Sequence, residues 1–354
     1  MAHTVTMPDR ICQRDGRIMR RMISPGFVED ALDSLRRAGI DPAPVLAELG
    51  LAFPVTAPVS NLQYGTLWLR IADVLQDEFF GNGARPMRPG SFKLLCHSVL
   101  SARSLEQALR RALRFLEIVL DDPTGELHHR GGQAEILLRT RGAPCSAFAY
   151  RTYWLILLGV LCWLIGRRVP LLQVDFACSA PENRADYHQF FGAPVRFDQP
   201  SCRLAFNASY LALPIIRDDK ALGPFLRAAP ANILLGYRHD QSVSARVRSR
   251  LQATPLAEWP DFDRVAADMR LSPATLRRRL RDEGQSFTLI RDELRFVLAR
   301  DLLSRPGRTI ADIAALLGYA EPTAFYRAFQ KWSGLTPAVF RAAQSGAAGA
   351  EPRA

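Results

Sequence analysis

A helix-turn-helix pattern occurs twice near the C-terminal end of the 354-residue chain, and this repetition limits the fold more than any other feature. "FDRVAADMRLSPATLRRRLRDEG" spans 262–284, and "IADIAALLGYAEPTAFYRAFQKWSG" spans 310–334. Each copy opens with a short helix containing Val/Ile-Ala-Ala, at Val265 and Ile313. A tight turn follows, then a polar residue placed to cap the next helix (Ser272, Glu321) and Pro directly after it (Pro273, Pro322). Proline suits the first helical position because it lacks the N–H that would go unpaired there. Each copy closes on glycine (Gly284, Gly334), a helix stop. Two helices joined by a three- or four-residue turn make a helix-turn-helix. One copy alone is a weak signal; two in tandem are a strong one.

The exposed face of each second helix carries the chemistry. Leu276 and Leu280 lie four apart and face the core, while Ala274, Arg277, Arg278 and Arg281 fall at i, i+3, i+4 and i+7 as one outward stripe. Arg279 sits beside the apolar side and snorkels. In the second copy Phe325, Phe329 and Trp332 form the core face; Thr323, Arg327 and Gln330 share the opposite one, and Lys331 lies near the helix end. Small residues let a helix approach closely, and arginine bonds guanine O6 and N7 or pairs with phosphate, as a recognition helix in a major groove requires. A single charge run is more often just a solvated face; the duplication favours the groove reader. Between the copies, "FTLIRDELRFVLARDLLS" predicts a helix over 287–304 with Ile290, Leu294, Leu298 and Leu302 as its apolar stripe. Its length of roughly 26 Å is comparable to the ~34 Å between successive major grooves on one side of DNA. One chain can thus set two reading helices about one helical turn apart.

Charge agrees with a polyanionic partner. The net charge is +11, and residues 241–341 hold 17 basic against 11 acidic side chains. The six cysteines (12, 96, 145, 162, 178, 202) show no Cys-x-x-Cys spacing and sit in apolar surroundings, which predicts buried thiols in a reducing cytosol. The N-terminus lacks the apolar core of a signal peptide. The most apolar run, "YWLILLGVLCWLIG" (153–166), is shorter than the ~20 residues of a membrane span. It reads as a core helix, so a cytoplasmic protein without membrane attachment is expected.

Upstream of the repeat the pattern is mixed. Residues 1–25 read as a flexible arm, and 26–215 as an α+β domain. Helical spacing appears at Val28, Leu32 and Leu35 before a stop at Gly39, at Leu67, Ile71 and Leu75, and at Leu105, Leu109, Leu113 and Leu116 behind a Ser104 cap. "ELHHRGGQAEILLRT" predicts a β-hairpin, "LLQVDFAC" a buried strand, "NRADYHQFFG" a short helix, and "VRFD" and "CRLAF" two further strands. Residues 216–240 read as a linker with some helix, 241–345 as the all-α double helix-turn-helix domain with its long joining helix, and 346–354 as a disordered tail. The expected class is mainly α with an α+β N-terminal domain.

The stretch "SFTLIRDELRFVLARDLLSRPGRTIADIAALLGYAEPTAFYRAFQKWSGLTPAVFR" resembles the signature of AraC/XylS-type transcription regulators, densely over about 240–343. More weakly, "FVEDALDSLRRAGIDPAPVLAELGL" and "YHQFFGAPVRFDQPSCRLAFNASYLALPI" are similar to the sensing and dimerisation domain of one branch of that family. The resemblance implies a promoter-binding regulator, usually an activator, working with RNA polymerase, responding to a small-molecule effector and forming a homodimer. It implies that Ala274, Thr275, Arg277 and Arg278 face bases from the first copy, and Pro322, Thr323, Ala324 and Arg327 from the second. One departure stands out: the family often has Gly in the first turn, where Arg270 stands here, whereas the second copy keeps Gly318. A non-glycine residue at positive φ costs roughly 1 kcal/mol or more.

Catalytic chemistry finds little support. "GNGARPMRPG" lacks the Lys-Ser/Thr ending of a phosphate loop. His128 and His129 are neighbours on a strand and point to opposite faces; Cys96 and His97 likewise diverge on a helix. Asp121 and Asp122 read as a helix end, Asp218 and Asp219 as solvated. No metal, cofactor or catalytic residue is expected. The competing readings are a repressor of the same family, an enzyme fused to a DNA-binding tail, which needs an activated cysteine, and a non-specific DNA coater, which predicts a steep salt slope without sequence preference.

Overall fold

The computed structural model describes residues 22–193, 195–234, 243–283, 285–305 and 307–348. These form two compact units, one ending before residue 239 and one after it. The start of the expected arm, Cys12 and Gly284 lie outside the described residues.

In the N-terminal unit β1 (Met22–Ile23) pairs antiparallel with β2 (Val59–Ser60). The expected arm therefore ends earlier than residue 25, because Ile23 is buried and pays its way in the core. Helices α1 (Pro25–Arg37), α2 (Pro42–Glu48), α3 (Asn61–Leu75), α4 (Ser91–Leu100) and α5 (Leu105–Leu120) follow. Val28, Leu32, Leu35, Leu67, Ile71, Leu105, Leu109, Leu113 and Leu116 are buried as their spacing predicts, while Leu75, expected with Leu67 and Ile71, is half-buried at the end of α3. Ser104 caps α5 by accepting from the Gln107 N–H. Strands β3 (Thr124–Arg130) and β4 (Gln133–Arg139) form the predicted hairpin around Gly131 and Gly132, both at positive φ (53° and 83°). That pair of angles is what a tight two-residue hairpin turn demands.

Helix α6 (Ala147–Leu164) is long and apolar enough to cross a membrane by length and composition, yet 89% of it is buried inside the unit. It is a core helix, as predicted, but it begins six residues before the apolar run, at Ala147, and Arg151 in that extension is buried too. Strand β5 (Leu171–Asp175), helix α7 (His188–Phe191), and strands β6 (Val195–Arg196) and β7 (Cys202–Asn207) complete a five-stranded sheet of order β3-β4-β7-β5-β6. β5 runs antiparallel to β7 and parallel to β6.

Within the 216–240 stretch, expected as a linker with some helix, helix α8 (Asp219–Leu234) runs longer than a linker needs and packs on α3, α4 and α6. Leu222, Phe225, Ala229 and Ile233 are buried, Phe225 stacks on Trp163 at 4.4 Å, and Ile233 sits where a side chain at Gly159 would stand. Its two internal prolines, Pro224 and Pro230, obscure the extent of the helix in the sequence.

The C-terminal unit is all helical: α9 (Val243–Gln252), α10 (Phe262–Asp268), α11 (Pro273–Asp282), α12 (Phe287–Ser304), α13 (Ile310–Leu316), α14 (Pro322–Ser333) and α15 (Pro337–Ala348). α12 serves two cores. Its first half places Ile290 and Leu294 with Val247, Val265, Leu276 and Leu280. Its second half turns Phe296, Ala299 and Leu303 inward, with Phe296 against Phe329 and Trp332. Leu298, expected in a single stripe, is therefore only half-buried: a helix packed on two sides needs two stripes.

Candidate nucleic-acid interface

The two helix-turn-helix copies share one turn geometry. In the first, the Arg270 N–H donates to Ala267 O and the Leu271 N–H to Ala266 O, both at 2.9 Å. In the second, Gly318 N–H donates to Ala315 O and Tyr319 N–H to Ala314 O, both at 3.0 Å. These paired bonds satisfy the last carbonyls of the helix and need a left-handed residue just past its end. Gly318 takes φ 78°; Arg270 takes φ 54°. The arginine thus keeps the glycine turn at a steric cost instead of reshaping it.

After the first turn, Ser272 Oγ accepts from the Thr275 N–H (3.1 Å) and caps α11, with Pro273 at the first position. The second cap differs: the Glu321 side chain makes no capping bond, although Pro322 again opens the helix. The extra turn residue there holds Glu321 extended, at φ −122°. α14 ends at Gly334 in the left-handed conformation (φ 76°).

On α11, Leu276 and Leu280 are buried, and Ala274, Arg277, Arg278 and Arg281 are exposed. Arg279 is exposed as well. Thr275 is half-buried, and its hydroxyl accepts from the Ser272 hydroxyl at 2.8 Å, which ties it to the cap. Arg277 lies over the Phe262 ring at 5.2 Å. On α14, Phe325 and Phe329 are buried and Trp332 is half-buried; Pro322, Thr323, Arg327, Gln330 and Lys331 are exposed, and Ala324 is half-buried. Each predicted stripe is therefore brought together on one outward face.

The frame behind these helices is built from ion pairs and one long-range cap. Glu283, just past α11, accepts from the Val243 and Ser244 N–H groups, both at 2.8 Å, and so caps α9 across the unit. Arg248 on α9 pairs with the buried Glu293 of α12. Arg300 on α12 is buried, and desolvation lowers its pKa to about 10. Sequence reading missed these groups, because each pairing joins positions far apart in the chain.

Elsewhere, burial holds four cysteines as thiols. Desolvation raises Cys145 and Cys178 to about 11 each and pushes Cys96 and Cys202 higher still. A nucleophilic thiol needs the opposite shift. The two histidines diverge as expected, His128 to Glu126 (3.2 Å) and His129 to Glu106 (3.4 Å). In the N-terminal unit a shallow groove of about 760 Å³ runs along α5, lined by Arg103, Arg110, Arg111, Arg114, Phe115 and Ile118 among others. Arg151, fully buried, is ringed by Phe27, Phe148, Tyr187 and Phe190 at 4.3–5.6 Å and bonds Tyr64 Oη (2.9 Å) and Asp30 (3.4 Å).

Residues 30–215 match the model of the arabinose-binding domain of AraC transcription regulators, and residues 265–343 match a helix-turn-helix domain. The chain belongs to the AraC family of transcription regulators. An ornithine utilization regulator of Pseudomonas aeruginosa is 30% identical over 259 residues, covering 71% of this chain and 74% of that one. The regulator VirS of Mycobacterium tuberculosis is 32% identical over 160 residues, 45% of this chain and 46% of its own. Among solved structures, the regulator CdpR of Pseudomonas aeruginosa matches 89% of this chain and 98% of its own at 22% identity, with a TM-score of 0.30. This AraC-family chain is accordingly a DNA-binding transcription regulator with an N-terminal ligand-binding domain.

Proposed function

We propose that this regulator reads two half-sites per chain, about one helical turn apart, with α11 in one major groove and α14 in the next. The observation that carries this reading is the repeated frame: two helices, launched by the same turn bonds, each present an exposed polar stripe and are joined by one rigid helix. Ala274, Arg277, Arg278 and Arg281 are the contacts of the first, and Pro322, Thr323, Arg327 and Lys331 those of the second. Thr275 and Ala324, half-buried, contribute closeness of approach more than bonds.

A small-molecule effector in the N-terminal unit controls a homodimer, which activates transcription with RNA polymerase in the cytoplasm. The groove along α5 favours a carboxylate or other anion: four arginines and one carboxylate, Glu106, line it, and its volume is that of ordinary small-molecule sites. Arg110 pairs with Glu106 and Arg114 with Glu117, which leaves Arg103 and Arg111 without an ion pair among the described residues. A panel of amino acids, with ornithine included because one relative is named for its use, tests this by the shift each causes in thermal unfolding.

Selection of genomic fragments on the full-length protein at about 0.15 M salt tests the DNA reading. Enrichment of one motif with two short blocks is expected. Retention without a motif makes the protein a non-specific coater. On the selected site, Arg278→Ala or Arg327→Ala is expected to cost ~1–3 kcal/mol of specific binding; a variant binding as wild type removes that residue from the interface.

A further inference from the structure

Arginines and aromatic rings alternate through the C-terminal unit in a continuous row. Arg277 of α11 lies over Phe262 at 5.2 Å, and Phe262 meets Phe287 edge-on at 5.5 Å. Arg291 of α12 lies over Phe287 at 5.7 Å and over Trp259 at 5.9 Å. Arg295, one turn further along α12, lies over the same Trp259 at 5.8 Å and over Tyr319 at 5.5 Å. Trp259 precedes the first copy's α10, and Tyr319 belongs to the turn of the second copy. Arg295 thus sits where the two copies meet.

These two guanidinium groups are held but not neutralised. The ion pairs of this unit are Arg248–Glu293, Arg250–Asp268, Arg264–Asp268 and Arg305–Asp301. Among the described residues Arg291 and Arg295 are in none of them, and the buried Nε of each has no hydrogen-bond partner. Asp292 is the acidic neighbour that acts on Arg291. Desolvation, then the charge of Arg295, lowers the Arg291 pKa, so the Arg291 cation is held beside another at a cost. Aromatic faces fix the plane of a guanidinium while leaving its edge N–H groups free to bond. Both side chains are only half-buried. A pair of cations fixed in this way, with no carboxylate ion-paired to either among the described residues, suits an anion spread along a line.

We propose that Arg291 and Arg295 form a clamp for the DNA backbone, bonding phosphates between the two half-sites read by α11 and α14. The inference rests on that reading of the two helices. The row of rings then does two things: it orients the clamp, and it ties Arg277 to the junction between the copies. Contacts of this kind position a protein on the duplex and carry no sequence information.

The test measures binding of the full-length protein to its selected duplex across a range of salt concentrations, for wild type, Arg291→Gln, Arg295→Gln and the double variant. Each neutralised contact removes about 0.9 from the slope of log affinity against log salt, so the double variant is expected to lose about 1.8 while its preference for the selected over a scrambled duplex is kept. An unchanged slope in variants that unfold at the wild-type temperature overturns the clamp. Where a variant does not fold, wild-type protein is measured on duplexes carrying one neutral methylphosphonate at a time. A loss of about tenfold at one or two phosphates between the blocks supports the clamp, and no loss at any of them overturns it. A wild-type protein with no preference between selected and scrambled duplex refutes the groove reading, whereas the salt slopes of the variants still report on the two arginines.

Discussion

Arg270 shows what a single residue costs. Its backbone holds φ 54° so that the first turn can repeat the bonds of the second, where Gly318 stands. An L-residue in this region costs about 1–2 kcal/mol, and glycine gives back about 0.5–1 kcal/mol through its freer unfolded chain. Arg270→Gly is therefore expected to stabilise the C-terminal unit by about 0.5–1 kcal/mol, read as a rise of a few degrees in its melting temperature. A fall would mean that the arginine side chain contributes more than the turn costs. Asp30 shows a different kind of strain. Desolvation raises its pKa above the ordinary 3.8, more than the charge of Arg151 lowers it. The folded chain then holds the Asp30 proton more tightly than the unfolded chain does. Stability from this group is lost as pH rises through the raised value and regained as pH falls towards 3.8. Relative to Asp30→Asn, wild type is expected to gain thermal stability on acidification across that window; a constant difference between the two would remove Asp30 as the cause. The sequence announced Arg270 by comparison of two repeated turns. It gave no sign of the Asp30–Arg151 pair, since nothing in a helical pattern says that an arginine at the start of an apolar run points inward among four rings.

At the scale of elements, helices with one buried face were legible and helices with two were not. α11 and α14 follow their apolar stripes, because a surface helix needs one face inside and leaves the other to solvent. α12 has the predicted span but not the predicted stripe: Leu298 falls between the two cores it serves. The extent of α8 was obscured by its prolines, and its place in the core is set by partners such as Trp163 and Gly159 that lie far off in sequence. The cap of α9 is a tertiary feature of the same kind. Glu283 accepts from two N–H groups at the start of α9, so the end of α11 fixes the helix behind it. A carboxylate in that position gains from two charge-assisted bonds and from the helix dipole. Glu283→Gln is expected to cost about 1 kcal/mol of C-terminal-unit stability, and to speed hydrogen exchange at the first amides of α9 before it affects α14. Equal acceleration in α9 and α14 would show instead that the whole unit had loosened.

At the scale of the molecule, charge and function are unevenly shared along the chain. The basic excess is concentrated in 241–341, and the exposed arginines of α11 and α14 belong to a unit with its own apolar cores. The N-terminal unit encloses a much larger core around α6 and offers an arginine-lined groove. DNA and a small ligand should therefore stabilise different transitions, each by mass action on the unit that binds it. Duplex present at about a hundred times its dissociation constant contributes ~2.7 kcal/mol to the unit that holds it. In a thermal scan of the full-length protein, selected duplex is expected to raise the transition reported by Trp332 and the α14 amides. A scrambled duplex at the same concentration should raise it less, and added salt should erode both shifts, because the phosphate contribution is the one that counterions compete for. If instead the two duplexes shift it equally at every salt concentration, the exposed stripes of α11 and α14 are binding backbone alone, and base contacts have no part in the affinity.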